Sequence, residues 1–201
     1  MEKSKYIELI RINVFGGKET VDRLHLADPR RIELDIASAL NSIFYKTFKK
    51  DPSNLDRYSK PYLSVAVSYE ASTQTYYSIL PAKVIQYPIC GDGIWNINTM
   101  TGKDVTFSPI QMGERELLFE SEFDSIDDVI GYSLSGSRVD YYNFDPIITA
   151  VKMDLIVDFT EWDMDEDVPI PSGQDLEVIN TIRQMYNLKP IDKLNNQNET
   201  A

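Results

Sequence analysis

Apolar residues recur at helical spacing early in the chain and at strand spacing in its middle, and the period changes near residue 61. Tyr6, Leu9, Ile10, Asn13 and Val14 form a stripe that predicts a helix over 6–15, closed by Gly16-Gly17. Residues 18–27 read as a polar connection in which Leu24 and Leu26 are the candidate buried positions. Asp28 is placed to cap a second helix, and Pro29 suits its first position. Apolar side chains then repeat at Ile32, Ile36, Ala39, Leu40, Ile43 and Phe44, with Thr47 in phase, which carries the helix to about residue 49. Asp51-Pro52-Ser53-Asn54 stops it, and 55–60 reads as one further short turn.

Beyond residue 61, Leu63, Val65 and Val67 alternate with small polar residues, and Ala71-Ser72-Thr73-Gln74 separates them from the run over 76–80, as in a hairpin. A third strand is expected over 82–87, then a turn through Gly91-Asp92-Gly93. A second hairpin is expected around Thr101-Gly102, joining 94–98 to 104–107. Residues 114–123 suit a short helix and 124–128 an exposed acidic loop. Strands return at 131–134 and 138–142 around Ser135-Gly136, and a long apolar run over 147–159 reads as a last strand.

That run empties into Asp163-Met164-Asp165-Glu166-Asp167, and Val168-Pro169-Ile170-Pro171 leads on to a helix predicted over 173–188. Leu176, Ile179, Ile182 and Tyr186 share one stripe of it, Asp175 and Glu177 sit in its first turn, and Pro190 ends it. The pattern defines an α+β protein with N-terminal helices, a central mostly antiparallel β region and a C-terminal helix. Its stretches are 1–60 helical, 61–160 β-rich with a short helical insertion, 161–190 acidic loop plus helix, and 191–201 a flexible or partner-ordered tail, within one domain overall.

Composition narrows the chemistry. In 201 residues, 42% hydrophobic content is enough for a real core, and the lone Cys90 excludes an internal disulfide. A Cys90–His25 nucleophile pair is not expected, since the only histidine lies far away in sequence. No apolar run is long enough to cross a membrane, and Glu8 and Arg11 interrupt the first apolar stretch, so the expectation is a soluble chain that is not exported by the usual route. With 32 acidic and 20 basic residues the net charge is −12, which repels nucleic acid unless the basic residues are segregated onto one face. The two small basic clusters, Arg30-Arg31 and 46–50, read as solvated helix ends.

Asp163, Asp165 and Asp167 have the alternate spacing of a calcium loop, but Val168 and Gln174 stand where that loop needs Gly and Glu. A solvated anionic rim fits the segment better. Gly91-Asp92-Gly93 lacks the rest of a phosphate-binding pattern, and Ser135-Gly136-Ser137 is a hairpin turn with no histidine near it. Catalytic residues, metal and cofactor are all expected to be absent.

Three further stretches complete the picture: 6–17, 36–49, and 77–88 with its following Gly-Ile-Trp-Asn-Ile, together with the helix entry Val168-Pro169-Ile170-Pro171. In this helix-first, sheet-in-the-middle, helix-last order the chain resembles the head-to-tail connector and tail-ring proteins of short-tailed bacteriophages, in particular crAss-like phages. The resemblance implies a non-enzymatic virion structural protein of the neck or tail barrel, assembled in the host bacterial cytoplasm. Identical copies would form a ring, twelvefold, stacked against the portal or neighbouring ring proteins, with DNA passing through without tight binding and with no membrane insertion. An acidic lumen would keep phosphates from being trapped, which makes Asp124, Asp127, Asp128, Asp163, Asp165, Glu166 and Asp167 candidate channel or rim acids. Leu176, Ile179, Ile182 and Tyr186 are the candidate subunit-contact residues on the last helix. Two other readings stand beside this one: a β-rich binding module for a protein or carbohydrate ligand, suggested by the strand tyrosines, and a carboxylate-based enzyme.

Overall fold

Asp28 begins the longest element of the protein: its side chain accepts the Arg30 amide at 3.0 Å while its carbonyl accepts the amides of Arg31 and Ile32. The computed structural model that shows this describes residues 1–16, 28–50, 58–85, 93–100, 105–110, 129–170 and 173–194. Its elements group into two units, Met1–Tyr58 with Asp158–Ala201, and Ser59–Val157. The fold is α+β, with helices at both ends of the chain and mostly antiparallel sheets between them.

The first unit contains α1 (Lys3–Phe15), α2 (Pro29–Lys50), a 3-10 turn over Phe159–Glu161 and α3 (Asp175–Met185). Gly16 closes α1 in the left-handed conformation, φ 77°, and returns its amide to the Ile12 carbonyl at 2.9 Å. The stripes read from the sequence for α1 and α2 face inward, with Tyr6, Ile10 and Val14 buried from α1 and Ile32, Ile36, Leu40 and Ile43 from α2, while α3 buries Val178, Ile179 and Ile182. Each such side chain contributes about 1.5–3 kcal/mol by leaving water. These contacts, rather than helix propensity, hold the helices in place.

The second unit holds two sheets. β1 (Lys60–Ala66), β8 (Ala150–Leu155) and β4 (Ile94–Thr99) form an antiparallel sheet in the order β1-β8-β4. β2 (Ser68–Glu70), β3 (Thr75–Ile79), β7 (Arg138–Tyr142), β6 (Val129–Ser135) and β5 (Thr106–Pro109) form the other in that order, antiparallel except for β5 against β6. The chain passes from one sheet to the other at Val67, whose amide bonds the Thr149 carbonyl at 2.9 Å. β8 lies in the middle of its sheet, and its alternate residues Val151, Met153 and Leu155 are fully buried. β1 is an edge strand that carries Pro61 and a register break between Tyr62 and Val65, two features that discourage pairing with a foreign strand.

The expected hairpin around Gly136 (φ 63°) forms as β6–β7, and the one expected between 63–67 and 76–80 forms only in part: the short β2 pairs with β3, while β1, which carries Leu63 and Val65, pairs with β8. The third does not form. β4 pairs with β8 and β5 runs parallel to β6, because each finds a buried partner strand far away in sequence. The strand expected over 82–87 contributes only a bridge from Val84 to Val157 among the described residues. The long strand over 147–159 is shorter than its apolar run. Asp145 accepts the Ile147 amide at 2.9 Å before it and Asp158 accepts the Thr160 amide at 3.1 Å after it, so local side-chain bonds turn the backbone at both ends. The connection at 18–27, the helix over 114–123, the loop over 124–128, His25 and Cys90 lie outside the described residues.

Candidate functional site

Glu2, at the N-cap of α1, makes no side-chain cap. The acidic loop supplies it: the Lys3 amide donates to the Glu166 carbonyl at 2.9 Å, and the Ser4 amide donates to the Met164 carbonyl at 3.0 Å. Glu2 and Asp167 form an antiparallel bridge beside these bonds, and the Val168 amide donates to the Met1 carbonyl at 3.0 Å. The loop is braced internally as well, since the half-buried Glu166 carboxylate accepts the Asp163 amide at 2.8 Å. Its backbone is therefore fixed while Asp163, Asp165 and Asp167 stand in solvent. Their negative charge lies at the positive end of the helix dipole, which favours it.

Beneath the loop is a buried cation. Lys3 is 2% exposed, its ammonium pairs with the Glu33 carboxylate of α2, donates to the Trp162 carbonyl at 2.6 Å and lies 5.3 Å from the centre of the Phe159 ring. Asp158 ties the same turn to α2 by accepting the Asn41 amide at 3.3 Å. Sequence reasoning passed over Lys3, although it stands three and seven residues before Tyr6 and Ile10, in phase with the buried stripe of α1.

α3 divides differently from its sequence stripe. Ile179 and Ile182 are 0% and 1% exposed within the chain's own core, so they are unavailable to a neighbouring subunit; this corrects their expected place in a subunit contact. Tyr186 is a clasp between helices. Its hydroxyl donates to the Asp35 carboxylate and accepts from Arg31 Nε at 3.1 Å, and its ring meets Phe15 edge-on at 5.3 Å. Burial, and then the bond to Asp35, raise the Tyr186 hydroxyl above the ordinary phenol value. Leu176, half-buried like Tyr186, lies in a groove of about 650 Å³ with Glu177, Thr181, Gln184 and Leu188. The segment after the helix is pinned along this groove, since Asn180 donates to the Ile191 carbonyl at 3.0 Å and accepts its amide at 2.8 Å.

Asp124, Asp127 and Asp128 lie outside the described residues. Among the described residues no three His, Cys, Asp or Glu side chains come together as a metal-binding group, and no helix is long and apolar enough to cross a membrane. Asp163, Asp165 and Asp167 are exposed, while the Glu166 carboxylate is bonded to the Asp163 amide. Comparison with known proteins finds no family model that matches the chain and no matching curated protein.

Proposed function

We propose that this chain is a non-enzymatic structural protein of a short-tailed phage virion, forming a ring of the neck or tail through which the genome passes. The observation that supports the reading best is the anchored acidic loop, with exposed Asp163, Asp165 and Asp167 on a backbone hydrogen-bonded to the start of α1. A rim of this kind keeps its charge where the backbone bonds hold it. Carboxylates within about 8 Å of passing phosphates repel them at physiological salt, and the net charge of −12 extends that repulsion over the subunit. The function is then mechanical: copies of the chain stack against the portal and neighbouring ring proteins, and DNA slides past without being held.

The test is electron microscopy of the purified protein, alone and mixed with portal particles, beside size exclusion with light scattering. Closed rings, alone or seated on the portal, are the expected outcome. A monomer at every concentration that also ignores the portal would overturn the reading and favour a binding module. A ring with residues 163–167 on its outer wall would remove the lumen role from these acids.

A further inference from the structure

The net charge of −12 conceals a cationic surface. The exposed side chains of α2 include five cations, Arg30, Arg31, Lys46, Lys49 and Lys50, and no carboxylate. The two acids of this helix turn to its flanks, where Glu33 holds Lys3 and Asp35 holds Tyr186. A helix of 22 residues is roughly 33 Å long, so the cations mark both ends of an outward face whose middle carries Ser38, Ser42 and Leu34, the last 62% exposed. Lys46 leans to Glu177 at 3.2 Å and Lys49 lies 4.7 Å from the centre of the Tyr45 ring, whereas Arg30 and Lys50 make no ion pair among the described residues. No other described element of this unit buries the side chains of this face, all of which are exposed.

The same unit carries its chemical counterpart. In the acidic loop Met164, 50% exposed, stands between the exposed carboxylates of Asp163 and Asp165, and the loop backbone is fixed by Ser4 and Lys3. On α2, Leu34 follows Arg30 and Arg31 by one turn on the outward side. An apolar knob flanked by carboxylates matches an apolar spot flanked by guanidiniums.

We propose that the outward face of α2 docks onto the acidic loop of a second copy of this chain, head to tail. The inference rests on the ring reading and moves Asp163 and Asp165 from the lumen rim to the subunit contact, leaving Asp167 and the net charge of −12 to repel passing DNA; a closed ring needs two unlike faces that meet around the circle. Opposite charge fixes register and speeds encounter at such a contact, while Leu34 and Met164 provide the apolar centre. A duplex DNA partner is disfavoured because the cations belong to a chain that is strongly anionic as a whole.

Charge exchange tests it on the full chain. One variant carries Arg30→Glu, Lys49→Glu and Lys50→Glu; the other carries Asp163→Lys and Asp165→Lys, and circular dichroism verifies that both fold. If the second fails to fold because lysines oppose the dipole of α1, Asp163→Asn with Asp165→Asn replaces it. Sedimentation velocity is expected to show assembly of the unaltered chain, weakened when salt rises from about 0.05 to about 0.5 M. Each variant alone should assemble at least about tenfold more weakly, and an equimolar mixture of the two charge-reversed chains should recover, because every α2 face then meets a loop of opposite charge. Should the variants assemble as well as the unaltered chain, this contact is refuted and the ring reading stands. An unaltered chain that neither self-associates nor joins the portal refutes both. Salt-sensitive binding of duplex DNA that the α2 variant abolishes overturns the proposal in favour of a nucleic-acid face.

Discussion

The main-chain oxygen of Glu166 accepts the Lys3 amide at 2.9 Å, while the Lys3 side chain turns inward to the Glu33 carboxylate. One residue thus fastens the acidic loop on its outside and closes an ion pair beneath it. Replacing Lys3 by Met leaves the Glu33 carboxylate and the Trp162 carbonyl without their donor in a site where the lysine side chain is 3% exposed. Breaking a buried pair from one side costs several kcal/mol; because Glu33 keeps 18% exposure, Lys3→Met should destabilise the fold by about 3 kcal/mol. The double variant Lys3→Met/Glu33→Leu should recover most of this in urea unfolding, since no charge is then stranded. Equal losses in the single and double variants would remove the pair from the account.

Tyr6 offers the opposite case. Its side chain is fully buried and its hydroxyl has no hydrogen-bond partner among the described residues, so Tyr6→Phe should stabilise the protein by about 1 kcal/mol at pH 7. Burial first, and then the charge of Asp175, push this phenol above its ordinary value of 10.0. A group raised in the folded state gives stability that is complete below its unfolded pKa and is lost as pH climbs above it, so the tyrosine makes the fold weaken from about pH 10 upward. Tyr141 and Tyr186, also raised, add to the same decline. Guanidinium unfolding at pH 7 and at about pH 10.5 should show a smaller alkaline loss for Tyr6→Phe than for the parent; parallel losses would contradict the assignment.

What the sequence showed and what it withheld divide along physical lines. Asp28-Pro29 and the stripe from Ile32 to Phe44 are local signals, and α2 follows them. The β2–β3 and β6–β7 hairpins are equally local, because Gly136 at φ 63° and the 71–74 turn dictate them. The partners of β4 and β5 are long-range choices between similar apolar strands, and alternation carries no information about which strand lies alongside. Glu166 was legible as an acid, but its use as a carbonyl cap for Lys3 was not, since every residue has a carbonyl. The cationic face of α2 was half legible: both clusters could be read, while their shared outward side needed the rotation of Glu33 and Asp35 toward Lys3 and Tyr186.

Gly93 and Gly136 have positive φ for different reasons. A Cβ on Gly93, at φ 70°, would stand 2.5 Å from the Ile85 carbonyl oxygen and 2.7 Å from Val84 Cβ, whereas one on Gly136 meets nothing within 4 Å. Gly93→Ala carries backbone strain plus a clash with main chain that is itself bonded to Ile156, and should lower stability by at least about 3 kcal/mol. Gly136→Ala carries the left-handed strain alone, about 1–2 kcal/mol. Chemical denaturation of both separates the two terms, and similar losses would show that the close approach of 84–85 is easily relieved.

Ile182 and Leu176 lie on one sequence stripe of α3 but face different surroundings. Ile182, 1% exposed, fills space among the three helices, so Ile182→Ala should cost about 3 kcal/mol through lost burial and the cavity left behind. Leu176 lines an open groove, where water refills the space, and Leu176→Ala should cost about 1 kcal/mol or less. No surface atom changes in the first variant. At a temperature where its far-ultraviolet circular dichroism remains native, Ile182→Ala should therefore match the parent chain in self-association and in any binding to portal particles. A clear drop in assembly of natively folded Ile182→Ala would return the residue to a subunit contact and overturn the division of α3 into a buried side and a free one.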